Sequence, residues 1–283
     1  MLAHRLRSGF LMGGALLAAI FLLPAWGVLP VLLVVTLLAL LEFYGFLQAR
    51  EIPHFKWVGA TMGVAYVAVT WMANYLEWTL RAEAEVIALF VAVAAVLLRQ
   101  LAETKTERPL DSLGGTLLGL LYVPFLFGFI VKLLTVWGHD AGRLLVLYLI
   151  VVVKFTDIGA YFIGCAIGRH KLLPRVSPAK TWEGVIGGLL VGTAAGWAYW
   201  QIVGRARVGE DPILSFAAIV GIGLLLSIFG IVGDLIESLL KRAAGVKDSG
   251  RMIQGMGGLL DVLDSLLFAA PVLYIALHIS LSY

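Results

Sequence analysis

Charge is what this sequence has little of. Only 14% of its 283 residues are Asp, Glu, Lys or Arg, while 61% are hydrophobic; soluble domains typically carry about a quarter charged residues. That scarcity excludes a soluble globule built around one core. Cysteine is almost missing too. Cys165 stands alone inside an apolar run, so no intramolecular disulfide forms and no redox compartment can be read. Ten-residue segments of alternating apolar and polar side chains are absent, which argues against an outer-membrane β-barrel. No small-x-small cleavage site follows the first apolar run, so that run is expected to remain as a helix rather than leave as a signal peptide. No internal repeat is visible. The net charge of +3 is small and its placement matters more than its size; no nucleic acid is expected as a partner.

What the chain has instead is apolar runs long enough to cross a bilayer as helices, at about 20 residues each. Nine are expected, at 10–26, 28–48, 57–76, 84–101, 112–134, 143–165, 183–203, 212–236 and 260–281. The expected fold is therefore an all-α, polytopic transmembrane helical bundle. Nine spans put the termini on opposite sides. Of the 21 Lys and Arg residues, fifteen fall on the side of the N-terminus, five on the other, and Lys154 lies within a span. Basic loops stay in the cytoplasm, so the N-terminus is expected inside and the C-terminus outside. Residues 1–140 read as scaffold helices and residues 141–283 as a catalytic membrane region with a polar site facing the cytoplasm.

The first of these regions holds little chemistry. Glu42, beside Phe43 and Tyr44 near a helix end, reads as an interfacial or packing residue. Trp57, Trp71, Trp78 and Trp137 fall near span ends, as an aromatic belt would.

Chemistry begins in the sixth span. Lys154 and Asp157 are three residues apart and share a helix face, as a structural ion pair or a polar lining. The following loop, 168–184, sets Arg169, Lys171, Arg175 and Lys180 near Ser177 and Thr181, ahead of a glycine-rich helix start. Cationic heads with hydroxyl and backbone donors suit a phosphate; a basic cytoplasmic loop would also satisfy topology alone.

The stretch 233–265 packs five carboxylates, four basic residues and a glycine cluster between two apolar segments. Asp234, Glu237, Ser238 and Lys241 recur at helical spacing and form one polar stripe. Asp261, Asp264 and Ser265 repeat the pattern at the start of the last span. Two helices can thus aim oxygen ligands at one point, and a hard all-oxygen set suits Mg²⁺ with substrate phosphates. Gly255, Gly257 and Gly258 lie just ahead of the last helix, where bare backbone N–H groups can approach an anion or form a tight turn.

These residues resemble the phosphatidate cytidylyltransferases, or CDP-diacylglycerol synthases. The family signature matches Ser238, Lys241, Arg242, Lys247, Asp248, Gly250, Ile253, Gly257, Gly258, Leu259, Asp261 and Asp264 in register. The segments 177–184 and 157–164 are similar to the same family. Three positions depart from it: Gln254 replaces Pro or Gly, Met256 replaces His, and Val262 replaces Arg. A thioether and a valine offer neither the donors nor the charge of the residues they replace, so a catalytically impaired relative stays open beside an active enzyme.

The resemblance implies a membrane nucleotidyltransferase that converts phosphatidate and CTP to CDP-diacylglycerol and pyrophosphate. It implies Asp234, Asp261 and Asp264 as metal ligands and, with Lys241, as catalytic residues. Substrate would meet Ser177, Lys180, Thr181, Arg175, Ser238, Arg242, Lys247, Asp248, Gly257 and Gly258. Mg²⁺ is the expected cofactor, as one or two ions. The expected setting is the inner membrane, multi-pass, with room for a homodimer. A CTP-dependent lipid kinase would use the same nucleotide and metal; a transporter would place its charges nearer the midplane.

Overall fold

The computed structural model describes residues 13–104, 107–204, 215–246 and 258–281. Of the residues named above, Lys247, Asp248, Gly250, Ile253, Gln254, Gly255, Met256 and Gly257 lie outside the described ones. Ten helices account for almost all of the described chain. They are α1 (Gly13–Leu22), α2 (Ala25–Ala49), α3 (Lys56–Tyr75), α4 (Arg81–Leu101), α5 (Pro109–Leu120), α6 (Leu126–Thr135), α7 (His139–Ile167), α8 (Trp182–Tyr199), α9 (Phe216–Ala244) and α10 (Leu260–Leu281).

The fold is all-α, as the apolar runs predicted, and among the described residues each expected span contains helix, the first of them chiefly the ten-residue α1. Six helical segments are long and apolar enough to cross a membrane: Ala25–Ala49, Arg81–Leu101, Pro109–Thr135, His139–Ile167, Phe216–Ala244 and Leu260–Ser280. The fifth expected span is α5 and α6 joined through a π-helical turn, Leu121–Phe125. Pro124 lies in that turn. Proline lacks an N–H and its ring crowds the preceding turn of an α-helix, and the wider π turn absorbs both defects without breaking the span.

The chain folds as two compact units. The first comprises Met1–Val136 and Leu240–Leu263, the second Trp137–Leu239 and Asp264–Tyr283. In the first unit, Tyr44 of α2 is completely buried and its hydroxyl donates to the Thr116 carbonyl at 3.1 Å. A Cβ at Gly119 would lie 2.7 Å from the Tyr44 ring, so glycine is what admits the ring there. Trp71 belongs to this core, with no exposed surface, and stacks on Tyr75. It is not part of an aromatic belt, because its neighbours on α3 turn that face inward. Trp57 and Trp78 are exposed, as a belt requires.

In the second unit, α7 and α8 pack along a seam of small residues. Gly184, Gly188, Gly192 and Gly196 repeat every fourth position and line one face of α8. A Cβ at Gly184 or Gly188 would come within 2.8 Å of the Ala160 or Thr156 carbonyl of α7. The link between α7 and α8, expected as a basic loop, contains a small antiparallel hairpin. Its strands are β1 (Lys171–Leu173) and β2 (Ser177–Thr181), with Lys171 opposite Thr181 and Leu173 opposite Ser177.

Candidate functional site

In the second unit, Gly233 decides how closely two helices approach. A Cβ there would lie 2.6 Å from the Asp264 carbonyl oxygen and 3.0 Å from the Ser265 Cα. Without one, α9 meets α10 backbone to backbone and the residues flanking the contact converge. Asp234 and Glu237 of α9 and Asp264 of α10 each bring a carboxylate oxygen within 4.8 Å of the other two. Glu237 is fully buried, Asp264 is 5% exposed, and Asp234 is half-buried.

Unit negative charges about 5 Å apart repel by about 3 kcal/mol per pair at an effective dielectric of about 20. Such a set therefore calls for positive charge or protons. Among the described residues, Lys180, near the end of β2, pairs with Asp234. Beside it, Lys154 Nζ lies 3.7 Å from Asp157 Oδ2, and Asp157 feels the charges of Asp234 and Lys180. Asp264 likewise feels Asp234, Asp157 and Lys154. The sixth span thus contributes a charged pair that belongs to the same electrostatic cluster.

The hairpin owes its position to its own side chains. Thr181 is buried and its hydroxyl accepts from the Gly184 N–H at 3.1 Å, capping α8. Glu183 in the first turn accepts from the backbone N–H of Arg169 and of His170, and meets the His170 ring at 2.6 Å. These bonds tie both ends of the link to the start of α8 and leave Lys180 facing Asp234. Ser177 is half-buried at the strand opening, and Arg175 is exposed in the turn.

The first unit holds a second polar group. Lys241 Nζ donates to Asp261 Oδ1 at 2.9 Å, and Asp261 Oδ2 accepts from the Gly258 N–H at 3.0 Å. The Leu259 and Leu260 N–H groups donate to the two carboxylate oxygens of Glu42, at 2.9 and 2.8 Å. Three consecutive backbone donors at the start of α10 thus all serve protein carboxylates. At the other end, α9 closes on Gly245 with a φ of +70°, with the Val246 N–H donating to the Lys241 carbonyl, a Schellman-type stop. Arg50 Nε donates to the Ala243 carbonyl at 2.8 Å. Arg242 is exposed in the last turn of α9 and Ser238 is half-buried.

The structure therefore groups Asp234, Asp264 and Lys180, adds Glu237, and pairs Lys241 with Asp261. Glu237 stood in the polar stripe from spacing alone but not in the expected ligand set. The Asp-x-x-Asp spacing at the start of α10 does not say which carboxylate joins Asp234 and Glu237 and which pairs with Lys241. Glu42 was read as an interfacial or packing residue; its partners lie more than 200 positions away, so no local pattern signals them.

A family model described as the cytidylyltransferase family matches residues 3–280. A Haemophilus influenzae protein named phosphatidate cytidylyltransferase is 32% identical over 285 residues, covering 96% of each chain. Proteins of the same name from Staphylococcus aureus and Brucella suis are 32% and 38% identical. Their alignments cover 93% and 75% of this chain, and 96% and 72% of the relatives. On these matches, the chain belongs to the cytidylyltransferase family.

Proposed function

We propose that this protein is a phosphatidate cytidylyltransferase, joining CTP and phosphatidate into CDP-diacylglycerol with release of pyrophosphate. The observation that carries the reading is the convergence of Asp234, Glu237 and Asp264 from two long apolar helices, with Lys180 on Asp234. A lipid phosphate and a nucleotide triphosphate are both anionic, so the obstacle to reaction is repulsion rather than weak nucleophilicity. An oxygen of the lipid phosphate attacks the α-phosphorus of CTP, and the bond from that phosphorus to the bridging oxygen breaks as pyrophosphate leaves. No side chain need remove a proton from an attacking group that is already an anion. Fixed charge and positioning supply the catalysis. Lys180 and Lys241 are assigned to substrate phosphates, Arg175 and Ser177 to seating the nucleotide, and Asp261 to holding Lys241.

The carboxylate set also fits a divalent cation. Its donors are hard oxygens, two of the three residues are buried, and their mutual repulsion is relieved by a cation. Asp234, Glu237 and Asp264 would hold Mg²⁺, which would supply positive charge to the phosphates and the leaving group. In the membrane, the fifteen-to-five bias of basic residues supports a site facing the cytoplasm, in the cytoplasmic membrane, where CTP is available.

The test is incubation of the purified protein with labelled CTP, phosphatidate and Mg²⁺. A labelled lipid with stoichiometric pyrophosphate supports the proposal; release of CDP instead would mark a lipid kinase and overturn it. Asp264→Ala is expected to abolish turnover while the protein remains folded. Undiminished turnover would remove Asp264 from the chemistry.

A further inference from the structure

Glu42 is the feature that neither the charge pattern nor the family signature accounts for. It sits on α2, one of the long apolar helices, 8% exposed, and a carboxylate is expensive to keep in such a place. Both of its oxygens are used. The Leu259 and Leu260 N–H groups donate to Oε1 and Oε2 respectively, so the carboxylate grips the first turn of α10, where backbone donors have no partner within the helix. The next residue is Asp261, held by Lys241 and the Gly258 N–H; Asp264 follows one turn later on the same helix. Eight residues beyond Glu42, Arg50 donates to the Ala243 carbonyl at the closing turn of α9. A helix that carries no expected catalytic residue thus holds both the end of α9 and the start of α10.

We propose that Glu42 is a positioning residue for cytidylyl transfer, clamping the start of α10 so that Asp261 stands in register with Lys241, with Arg50 as the second arm of the clamp. The proposal rests on the activity proposed above. Its chemistry is specific: a bidentate carboxylate accepts two N–H bonds, whereas an amide in its place offers one acceptor and turns a donor against the second N–H. A side chain that merely fills space would tolerate that exchange. A clamp would not.

The experiment compares the full-length wild type with Glu42→Gln, Glu42→Asp and Arg50→Gln in lipid nanodiscs. It reads kcat, KM for CTP, amide hydrogen exchange at Leu259 and Leu260, and thermal unfolding. For Glu42→Gln we expect kcat to fall about ten- to a hundredfold, KM for CTP to change by less than about threefold, and faster exchange at those two amides. Glu42→Asp, which keeps two acceptors, should recover part of kcat. Arg50→Gln should show a smaller loss of kcat in the same direction. A folded Glu42→Gln protein with wild-type kcat would overturn the clamp, as would a loss of melting temperature with kcat per folded molecule unchanged. Should Glu42→Gln not fold, Arg50→Gln decides: wild-type kcat there overturns the proposal. A wild type that makes no labelled lipid under these conditions would instead overturn the proposed activity.

Discussion

Lys180 stands against Asp234, where three carboxylates converge. Removing its charge leaves Asp234 to face Glu237 and Asp264 with less compensation and takes one cation from the phosphates. Lys180→Ala is therefore expected to lower kcat/KM by about a hundredfold, equivalent to about 3 kcal/mol of transition-state stabilisation. Lys180→Arg should restore only part of that, because a planar fork does not reproduce a compact ammonium. Steady-state rates against CTP concentration measure both, and an unaffected Lys180→Ala enzyme would take this lysine out of the site. At this scale the sequence was informative wherever charge and helical spacing acted together. Asp234 and Asp264 were legible as charges that an apolar chain would not otherwise keep, and Lys180 as one of four cations in a loop that topology alone could also explain. Glu237 was legible only as part of a stripe, because membership of the carboxylate set depends on how α10 is rotated, and the close approach at Gly233 sets that rotation. Glu42 was not legible as a clamp, since a hydrogen bond across more than 200 residues leaves no trace in local pattern.

At the scale of elements, only a glycine-rich start to α8 was legible in the sequence, and the seam with α7, a glycine at every fourth position of α8, emerged from the structure. The tightest point described lies at Gly192, where a Cβ would come 2.6 Å from Ser227 Oγ and would also strike Thr156. Those two hydroxyls bond each other at 2.8 Å, linking α7 to α9 within the second unit. Gly192→Val should destabilise the protein by about 1–3 kcal/mol through overpacking, read as a lowered midpoint of thermal unfolding in detergent. Gly221→Ala on α9 is the control, since a Cβ there meets nothing within 4 Å; helix propensity should make it neutral or slightly stabilising. Equal effects from the two substitutions would contradict the packing argument. The hairpin between α7 and α8 escaped sequence reading for a different reason. Strands of three and five residues carry too little alternation to recognise, and the bonds from Glu183 to Arg169 and His170 that hold the link in place join its two ends.

For the whole molecule, hydropathy was sufficient to locate the helices, because a segment that crosses hydrocarbon must be apolar throughout and must satisfy its backbone internally. Orientation follows from a different force, the retention of basic loops on the cytoplasmic side, and it can be tested on one helix. α7 has 29 residues, about 43 Å at the α-helical rise, long enough to bring its two ends to opposite faces of a bilayer. Asp140 in its first turn has a side chain that is 96% exposed, and Pro174, beyond its other end in the hairpin turn, is exposed too. Cys165 is the chain's single cysteine, so Cys165→Ser provides a thiol-free background for introduced reporters. In that background Asp140→Cys should react with a membrane-impermeant maleimide added to intact cells. Pro174→Cys should react only in inverted vesicles or after permeabilisation. The reverse pattern would place the hairpin and Lys180 outside, away from CTP, and would overturn both the orientation and the route by which nucleotide reaches the carboxylates.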